Sequence, residues 1–324
     1  MGKRRQSGKR KAGPRAFQIV LPATSANLGP AFDCAALALN FHLKVSAEVA
    51  AEDLIRATGR DEAICGAREG NLLVETYRDV LGQAGKPAPS LALRIENQIP
   101  VGKGCGSSAA ARLAGIALAV HFGGLGWTDE RILEEAVRRE GHADNAAACW
   151  HGGIAVAQMG TGALHVATLA APRWPLLLAV PARPLATEKA RAVLPTQVSR
   201  ADAVANVQSA MLLATAFAQR RDDLLRSALT DKLHQPYRAP LCPLLDPLRA
   251  LAGGDGILGA VLSGAGPSVL MFLAPRAPQP RVARRVKECL SGAGLDAELI
   301  FAQAESRGAR ERRAALGGKG ESRT

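Results

Sequence analysis

The stretch that most constrains the fold is PVGKGCGSSAAARLAGIALAV, residues 100–120. Glycines at 102, 104 and 106 allow backbone angles that other residues resist, and they leave no side chain to hold a ligand off the main chain. Ser107 and Ser108 then open an alanine- and leucine-rich segment of high helix propensity. A glycine loop feeding the free N–H groups of a helix N-terminus is an anion cradle, and the helix dipole adds to it. A plain turn with a serine N-cap uses the same letters. The stretch alone therefore leaves both readings open. The Walker pattern GxxxxGK[ST] is absent, and GKGCGSS breaks the GxGxxG spacing, so neither an ordinary P-loop nor a dinucleotide fingerprint is present.

Composition narrows the class. The chain has 324 residues, 48% of them hydrophobic, which suits one large or two medium domains with a real core. No apolar run reaches the roughly 18 residues of a membrane span; LLLAVPARPLA is short and broken by prolines. The basic start MGKRRQSGKRKAGPR is followed by no apolar segment long enough for a signal peptide, so cytoplasmic residence is the expectation. Six cysteines, at 34, 65, 105, 149, 242 and 289, show neither CxxC nor zinc spacing and read as reduced, mostly buried thiols. The net charge of +12 suggests nucleic acid until it is located. Residues 1–16 carry seven Lys/Arg and no acid, and residues 305–324 carry six Lys/Arg against three Glu, which leaves a body near +2. The two ends are expected to be disordered basic tails, and a nucleic-acid partner is not expected. Aromatics make up only 4%, too few for a base-stacking platform.

Along the chain, FQIVLPATSANLGPAFD starts as a strand and ends as a polar turn, and LALNFHLKVSAEVA alternates as a second strand. EGNLLVETYRDVLGQAG has helical spacing, and LALRIENQIP is a strand ended by Pro100. Thr128 caps a helix, TDERILEEAVRREG, that carries acids in its first turn, arginines in its last and Gly141 as its stop. GGIAVAQMG and ALHVATLA form a hairpin pair. The pattern restarts at PRWPLLLAVPARP, which places a domain boundary near residue 172. Helical segments follow from about 188 to 233, then two strands around a glycine turn in GILGAVLSGAGPSVLMFLA, an amphipathic helix in RVARRVKECLSGAG and a last strand in LDAELIFAQA. Strands and helices are mixed without strict alternation, so the class is α+β.

Three motifs in one order, PATSANLGPAFD (22–33), PVGKGCGSSAA (100–110) and LSGAGPSVLM (262–271), resemble the GHMP small-molecule kinases across residues 17–304. Within them SANLGPAFD, EGHADNAAACWHGG, TEKAR and DKLHQPYR are similar to segments of the homoserine kinase branch. The resemblance implies a two-domain GHMP kinase fold: an N-terminal α/β sandwich over 17–172 and a ferredoxin-like C-terminal domain over 173–304, with a cleft between. It implies transfer of the ATP γ-phosphoryl group to the side-chain hydroxyl of L-homoserine, a step toward threonine, with Mg2+ as cofactor and a homodimer as the common assembly.

The same resemblance distributes the roles. Gly102, Lys103, Gly104, Cys105, Gly106, Ser107 and Ser108 would wrap the triphosphate, and Asn71 would lie near the adenine. Ser108 and Glu134 would hold Mg2+, hard oxygens suiting that ion. Glu134 flanks an apolar stripe of Leu133, Ala136 and Val137, whereas Glu135 is expected to point away; the bland alternative is a solvated Glu134–Arg138 pair. Asn145 stands where other GHMP kinases carry a possible aspartate base; an amide cannot take a proton at neutral pH, but it can orient a hydroxyl. Neighbouring Asp144 is disfavoured as a base; holding the loop or capping a helix suits it as well. Asp33 with Asn27 beside it would take the ammonium of an amino acid, Arg191 and Arg238 its carboxylate, and His142 would line the pocket. The pattern departs from the family at Ala31, Cys105 and Ala143, and Cys105 raises the expectation of an oxidation-sensitive loop. Two other functions compete: a GHMP kinase acting on a different small alcohol, and a non-catalytic nucleic-acid or sensor protein on the same fold.

Overall fold

The computed structural model describes residues 16–160 and 162–316. The N-terminal half contains strands β1 (Ala16–Ala26), β2 (Ala35–Val49) and β3 (Leu54–Gly59), helices α1 (Glu62–Cys65) and α2 (Leu72–Gln83), and strand β4 (Leu91–Asn97). Helices α3 (Ser107–Gly123), α4 (Asp129–Glu140) and α5 (Asp144–His151) follow, and then the hairpin β5 (Ile154–Met159) and β6 (Leu164–Leu169). These strands belong to one sheet in the order β11-β1-β2-β4-β3, with β5 on β2 and β6 on β5. Strand β11 (Arg313–Leu316) reaches that sheet from the far end of the chain and runs antiparallel to β1. Pro22 sits where the β1–β2 register shifts, a bulge that accommodates the missing N–H.

The second half begins with β7 (Leu176–Val180), just past the expected boundary. Helices α6 (Thr187–Ala192), α7 (Arg200–Gln219), α8 (Leu225–Ala228), α9 (Gln235–Arg238) and α10 (Leu245–Arg249) come next. Strands β8 (Ile257–Leu262) and β9 (Val269–Leu273), helix α11 (Gln279–Gly292) and strand β10 (Glu298–Ala302) complete it. Their sheet runs β10-β7-β9-β8, antiparallel throughout. In chain order that is 4-1-3-2, with helices in both crossovers, the ferredoxin-like arrangement. Val282, Val286 and Leu290 recur every fourth residue on α11 and bury that face against this sheet.

The reading of a disordered tail from residue 305 is corrected by the structure. Glu305 accepts from the Arg312 guanidinium at 2.6 Å and meets the His42 ring at 3.1 Å, and Gly153 N–H donates to the Glu305 carbonyl at 2.7 Å. Arg313 lies 5.0 Å over the Trp150 ring and pairs with Asp129. Glu305, Arg312 and Arg313, read from the sequence as part of a solvated end, make ion pairs and a ring contact that strap this segment to the first sheet, α4 and α5. The basic segment 1–15 and residues 317–324 lie outside the described residues.

Candidate active site

The cleft is made where three glycine-bearing segments of the two halves cross. Gly104 and Gly106 have φ of +76° and +70°, which L side chains rarely adopt. A Cβ on Gly104 would run into the carbonyl oxygens of Ser263 and Gly266, and one on Gly106 into the Thr24 hydroxyl. The SGAG turn between β8 and β9 is tied to the loop by Ser263 Oγ donating to the Gly104 carbonyl at 2.7 Å. It is tied to the β1 end by Gly264 N–H to the Ala26 carbonyl at 3.1 Å and Asn27 Nδ2 to the Gly264 carbonyl at 2.8 Å. Leu185 N–H closes the other side on the Gly102 carbonyl at 3.1 Å.

Helix α3 starts in this loop with Gly106 at its N-cap and no side-chain cap, so its first-turn N–H groups face the cleft without a side-chain acceptor. Two connected hollows meet at Gly102, Ser107 and Ser108. One, of about 110 Å³, is polar and is lined by the loop together with Asp33, Glu140, Asn145, Arg191 and Arg238. The other, of about 260 Å³, is apolar, with Leu43, Ile64, Ile95 and Ile99 in its wall and Asn71 at its edge. Asn71 is itself the N-cap of α2, accepting from Leu73 and Val74 N–H and donating to the Cys65 and Ala67 carbonyls. Lys103 is outside the lining of both hollows. Cys105 lines the polar one, but its side chain is buried and burial pushes its thiol up to about 12, which argues against the oxidation-sensitive loop.

The carboxylate beside Ser108 is Glu140. Its Oε2 accepts from Ser108 Oγ at 2.9 Å and its Oε1 from Arg112 Nε at 2.6 Å. Glu134 is instead on the outer face of α4, 47% exposed and 3.7 Å from Arg131. Glu135, expected to point away, is buried between Arg138 and Arg139. The physical reason lies in the helix phase. The inward arc of α4 runs through Ile132, Leu133, Ala136 and Val137, and Glu140 continues it one turn on. Gly141, with φ +77°, then ends the helix at the cleft.

At the other end of the polar hollow Asp33 holds Arg191 in two contacts, Nη1–Oδ2 at 2.9 Å and Nη2–Oδ1 at 2.6 Å. Asn27 braces this corner by accepting from Asp33 N–H at 2.9 Å. Arg238 is 1% exposed and has no carboxylate partner among the described residues. Its Nε donates to the Ala190 carbonyl at 3.0 Å and its Nη1 to His234 Nδ1 at 3.2 Å, which leaves His234 Nε2–H for the Gly29 carbonyl at 2.8 Å. Burial holds the His234 pKa below the ordinary histidine value, in keeping with that neutral tautomer. Burial and the nearby Arg191 charge also lower the Arg238 pKa. The Phe32 ring lies under both guanidiniums, 5.7 Å from Arg191 and 5.2 Å from Arg238.

Helix α5 brings in the last group. Asn145 Oδ1 accepts from Thr24 Oγ1 at 2.7 Å. Asp144 is 2% exposed, and its Oδ1 is met by His142 Nδ1 at 2.8 Å, Asn145 N–H at 2.7 Å and Asn145 Nδ2 at 3.3 Å. Burial opposes protonation of His142, but Asp144 and then Glu140 outweigh it and raise the pKa above the ordinary value. The structure thus brings Asn27, Asp33, Gly102, Gly104, Cys105, Gly106, Ser107, Ser108, His142, Asn145, Arg191 and Arg238 to one hollow, puts Asn71 in the adjoining one, and leaves Lys103 and Glu134 outside. Sequence reasoning missed Glu140, Thr24 and Phe32, although all three lie inside strings it had singled out or beside them.

A glycine loop on a helix N-terminus, between an α/β half and a ferredoxin-like half, is the architecture of the GHMP kinases. The family described as GHMP kinases N terminal domain matches residues 71–153, and GHMP kinases C terminal matches residues 213–292. The chain is 44% identical over 258 residues to a homoserine kinase of Solibacter usitatus, covering 79% of this chain and 84% of that one. It is 38% identical over 298 residues to a homoserine kinase of Synechocystis, covering 90% and 97%. Its fold matches the crystal structure of a homoserine kinase from Cytophaga hutchinsonii with a TM-score of 0.77 at 24% identity, over 95% of this chain and 99% of that one. The chain belongs to the homoserine kinase family.

Proposed function

We infer that the chain catalyses ATP-dependent phosphorylation of the side-chain hydroxyl of L-homoserine, giving O-phospho-L-homoserine and ADP. The observation that carries the substrate is Arg238, a buried guanidinium facing the hollow with no acid of its own among the described residues, 5.2 Å over a ring it shares with the Asp33-paired Arg191. A guanidinium so placed fits a ligand carboxylate, and Asp33 fits an ammonium. Mevalonate lacks the ammonium and a sugar lacks both charges, so other GHMP substrates suit this corner less well.

The triphosphate of ATP fits along residues 102–108 against the first-turn N–H groups of α3, with the nucleoside in the apolar hollow beside Asn71. Ser108 and Glu140 fit Mg2+: both are hard oxygen donors, already 2.9 Å apart, and this ion takes few protein ligands beside phosphate and water. Bound there, it would neutralise charge on the β- and γ-phosphates. Asn145, held by the Thr24 hydroxyl, orients the acceptor hydroxyl. Asp144 Oδ1 takes His142 Nδ1 and two Asn145 donors, so the part we assign to it is to fix His142 and Asn145. Phosphoryl transfer through a loose transition state depends on positioning and charge more than on a strong base, which fits an amide at this place.

The reading carries with it a cytoplasmic enzyme acting as a homodimer. Among the described residues no helix is long and apolar enough to cross a membrane. The exposed Val204, Val207 and Met211 on one face of α7 are consistent with a dimer contact. The substrate reading is tested with Arg238→Leu: KM for L-homoserine should rise by about 100-fold or more, as for loss of a buried charged hydrogen-bonding partner, while KM for ATP holds. An unchanged KM for homoserine would remove Arg238 from the substrate.

A further inference from the structure

Asp33 and Arg191 are assigned above to opposite charges of the same substrate, and they are bound to each other. Their contact is bidentate, using both carboxylate oxygens and both terminal guanidinium nitrogens, and both side chains are about one-third exposed. Asp33 also compensates one of two cations that share the Phe32 ring. Burial first, and then the neighbouring Arg191 charge, lower the Arg238 pKa. The amino-acid end of the cleft is therefore closed by an internal ion pair, with one guanidinium paired and one not.

We propose that the Asp33–Arg191 ion pair is a filter for zwitterionic alcohols. This rests on the substrate reading above and adds to it the way in which the site rejects other alcohols. An alcohol bearing both an ammonium and a carboxylate exchanges one protein ion pair for ion pairs with the ligand in which Asp33 and Arg191 each keep a partner. An alcohol bearing a carboxylate alone can meet the unpaired Arg238, but it gains the second guanidinium, Arg191, only by stripping it from Asp33, whose charge then loses its partner. An alcohol bearing an ammonium alone strands Arg191 beside Arg238. Leaving a partly buried charge unpaired costs more than the new interaction returns. Selectivity thus comes from the pair that must be opened as well as from the ion pairs made with the ligand, a repulsive element of the kind specificity requires.

The test compares kcat/KM for L-homoserine, 4-hydroxybutanoate and 3-aminopropan-1-ol in the wild type, in Asp33→Asn, in Arg191→Gln and in the double variant, with KM for ATP as the check that the glycine loop is intact. The wild type should favour homoserine over either half-charged alcohol by about 100-fold or more. Asp33→Asn should lower homoserine turnover yet raise that of 4-hydroxybutanoate by about tenfold, because Arg191 is released. Arg191→Gln should do the same for 3-aminopropan-1-ol by releasing Asp33. Both gains should disappear in the double variant, since each needs the released partner. If neither half-charged alcohol gains in the single variants, the pair is no barrier. If the gains persist in the double variant, relief of simple repulsion accounts for them; either result overturns the proposal. Absence of homoserine turnover in the wild type would instead strike the substrate reading itself.

Discussion

Thr24→Val isolates the role of Asn145 with little disturbance elsewhere. Thr24 is fully buried at the end of β1, and its hydroxyl donates to Asn145 Oδ1 at 2.7 Å. Valine keeps the branched shape and removes the donor. A hydrogen bond of this kind contributes about 1 kcal/mol net, within a range of roughly 0.5–1.5. The added methyl recovers part of that, so the melting temperature should fall by no more than about 2–4 °C. The catalytic cost arises because the amide loses the shorter of its two anchors and keeps only the 3.3 Å contact of Nδ2 with Asp144 Oδ1. At about 1.4 kcal/mol per factor of ten, kcat should drop roughly five- to tenfold with KM for ATP unchanged. Coupled ADP-release kinetics at saturating ATP measure this. A cycle with Asn145→Ala sharpens it: that change should cost about 100-fold by itself, and Thr24→Val should then add nothing further. A kcat within 1.5-fold of wild type, as a rough threshold on that same scale, or additive losses in the cycle, would refute the claim that Thr24 acts through Asn145.

Glu140→Gln should lower kcat by about 100-fold or more and flatten the Mg2+ dependence, whereas Glu134→Gln stays within about twofold, since Glu140 and not Glu134 stands at Ser108; a Mg2+ titration of both variants decides it. His142 has a raised pKa in the folded protein, so its stabilising contribution is complete below the ordinary histidine value and is lost as pH rises through the raised one. The stability lead of the wild type over His142→Gln should accordingly shrink between pH 6 and pH 8.5, read from denaturant midpoints; a constant or growing lead contradicts the assignment. Gly308→Ala should cost about 1–3 kcal/mol, because a Cβ there runs into the Trp150 carbonyl and the His151 backbone at the end of α5. An unchanged melting temperature would mean that residues 305–316 do not pack on that helix.

Strand and helix periodicity made most elements legible, because β1, β2, β4, α2 and α4 each bury one face of a regular pattern. Strand β3 was missed since, at the edge, its burial pattern lacks a buried face to read. The segment 305–316 looked like a solvated tail because its charges are obvious and their partners are not: His42, Asp129 and Trp150 are far away in sequence. The site followed a similar division. Glycine loop, Asp33, Asn145 and the two arginines were carried by local strings. The choice between Glu134 and Glu140 turned on helix phase at the last turn of α4, where the spacing from Leu133 and Ala136 does point to Glu140. Thr24 and Phe32 gave no signal because their function lies in what they touch across the cleft.

The central claim is tested most directly by ADP release from purified protein with ATP and Mg2+ across L-homoserine, L-threonine, L-serine, mevalonate and galactose, with the phosphorylated product identified by mass. Turnover selective for L-homoserine, yielding O-phospho-L-homoserine, is the expected result. Selective phosphorylation of another alcohol, or no turnover of any of them by protein that binds ATP, would contradict it.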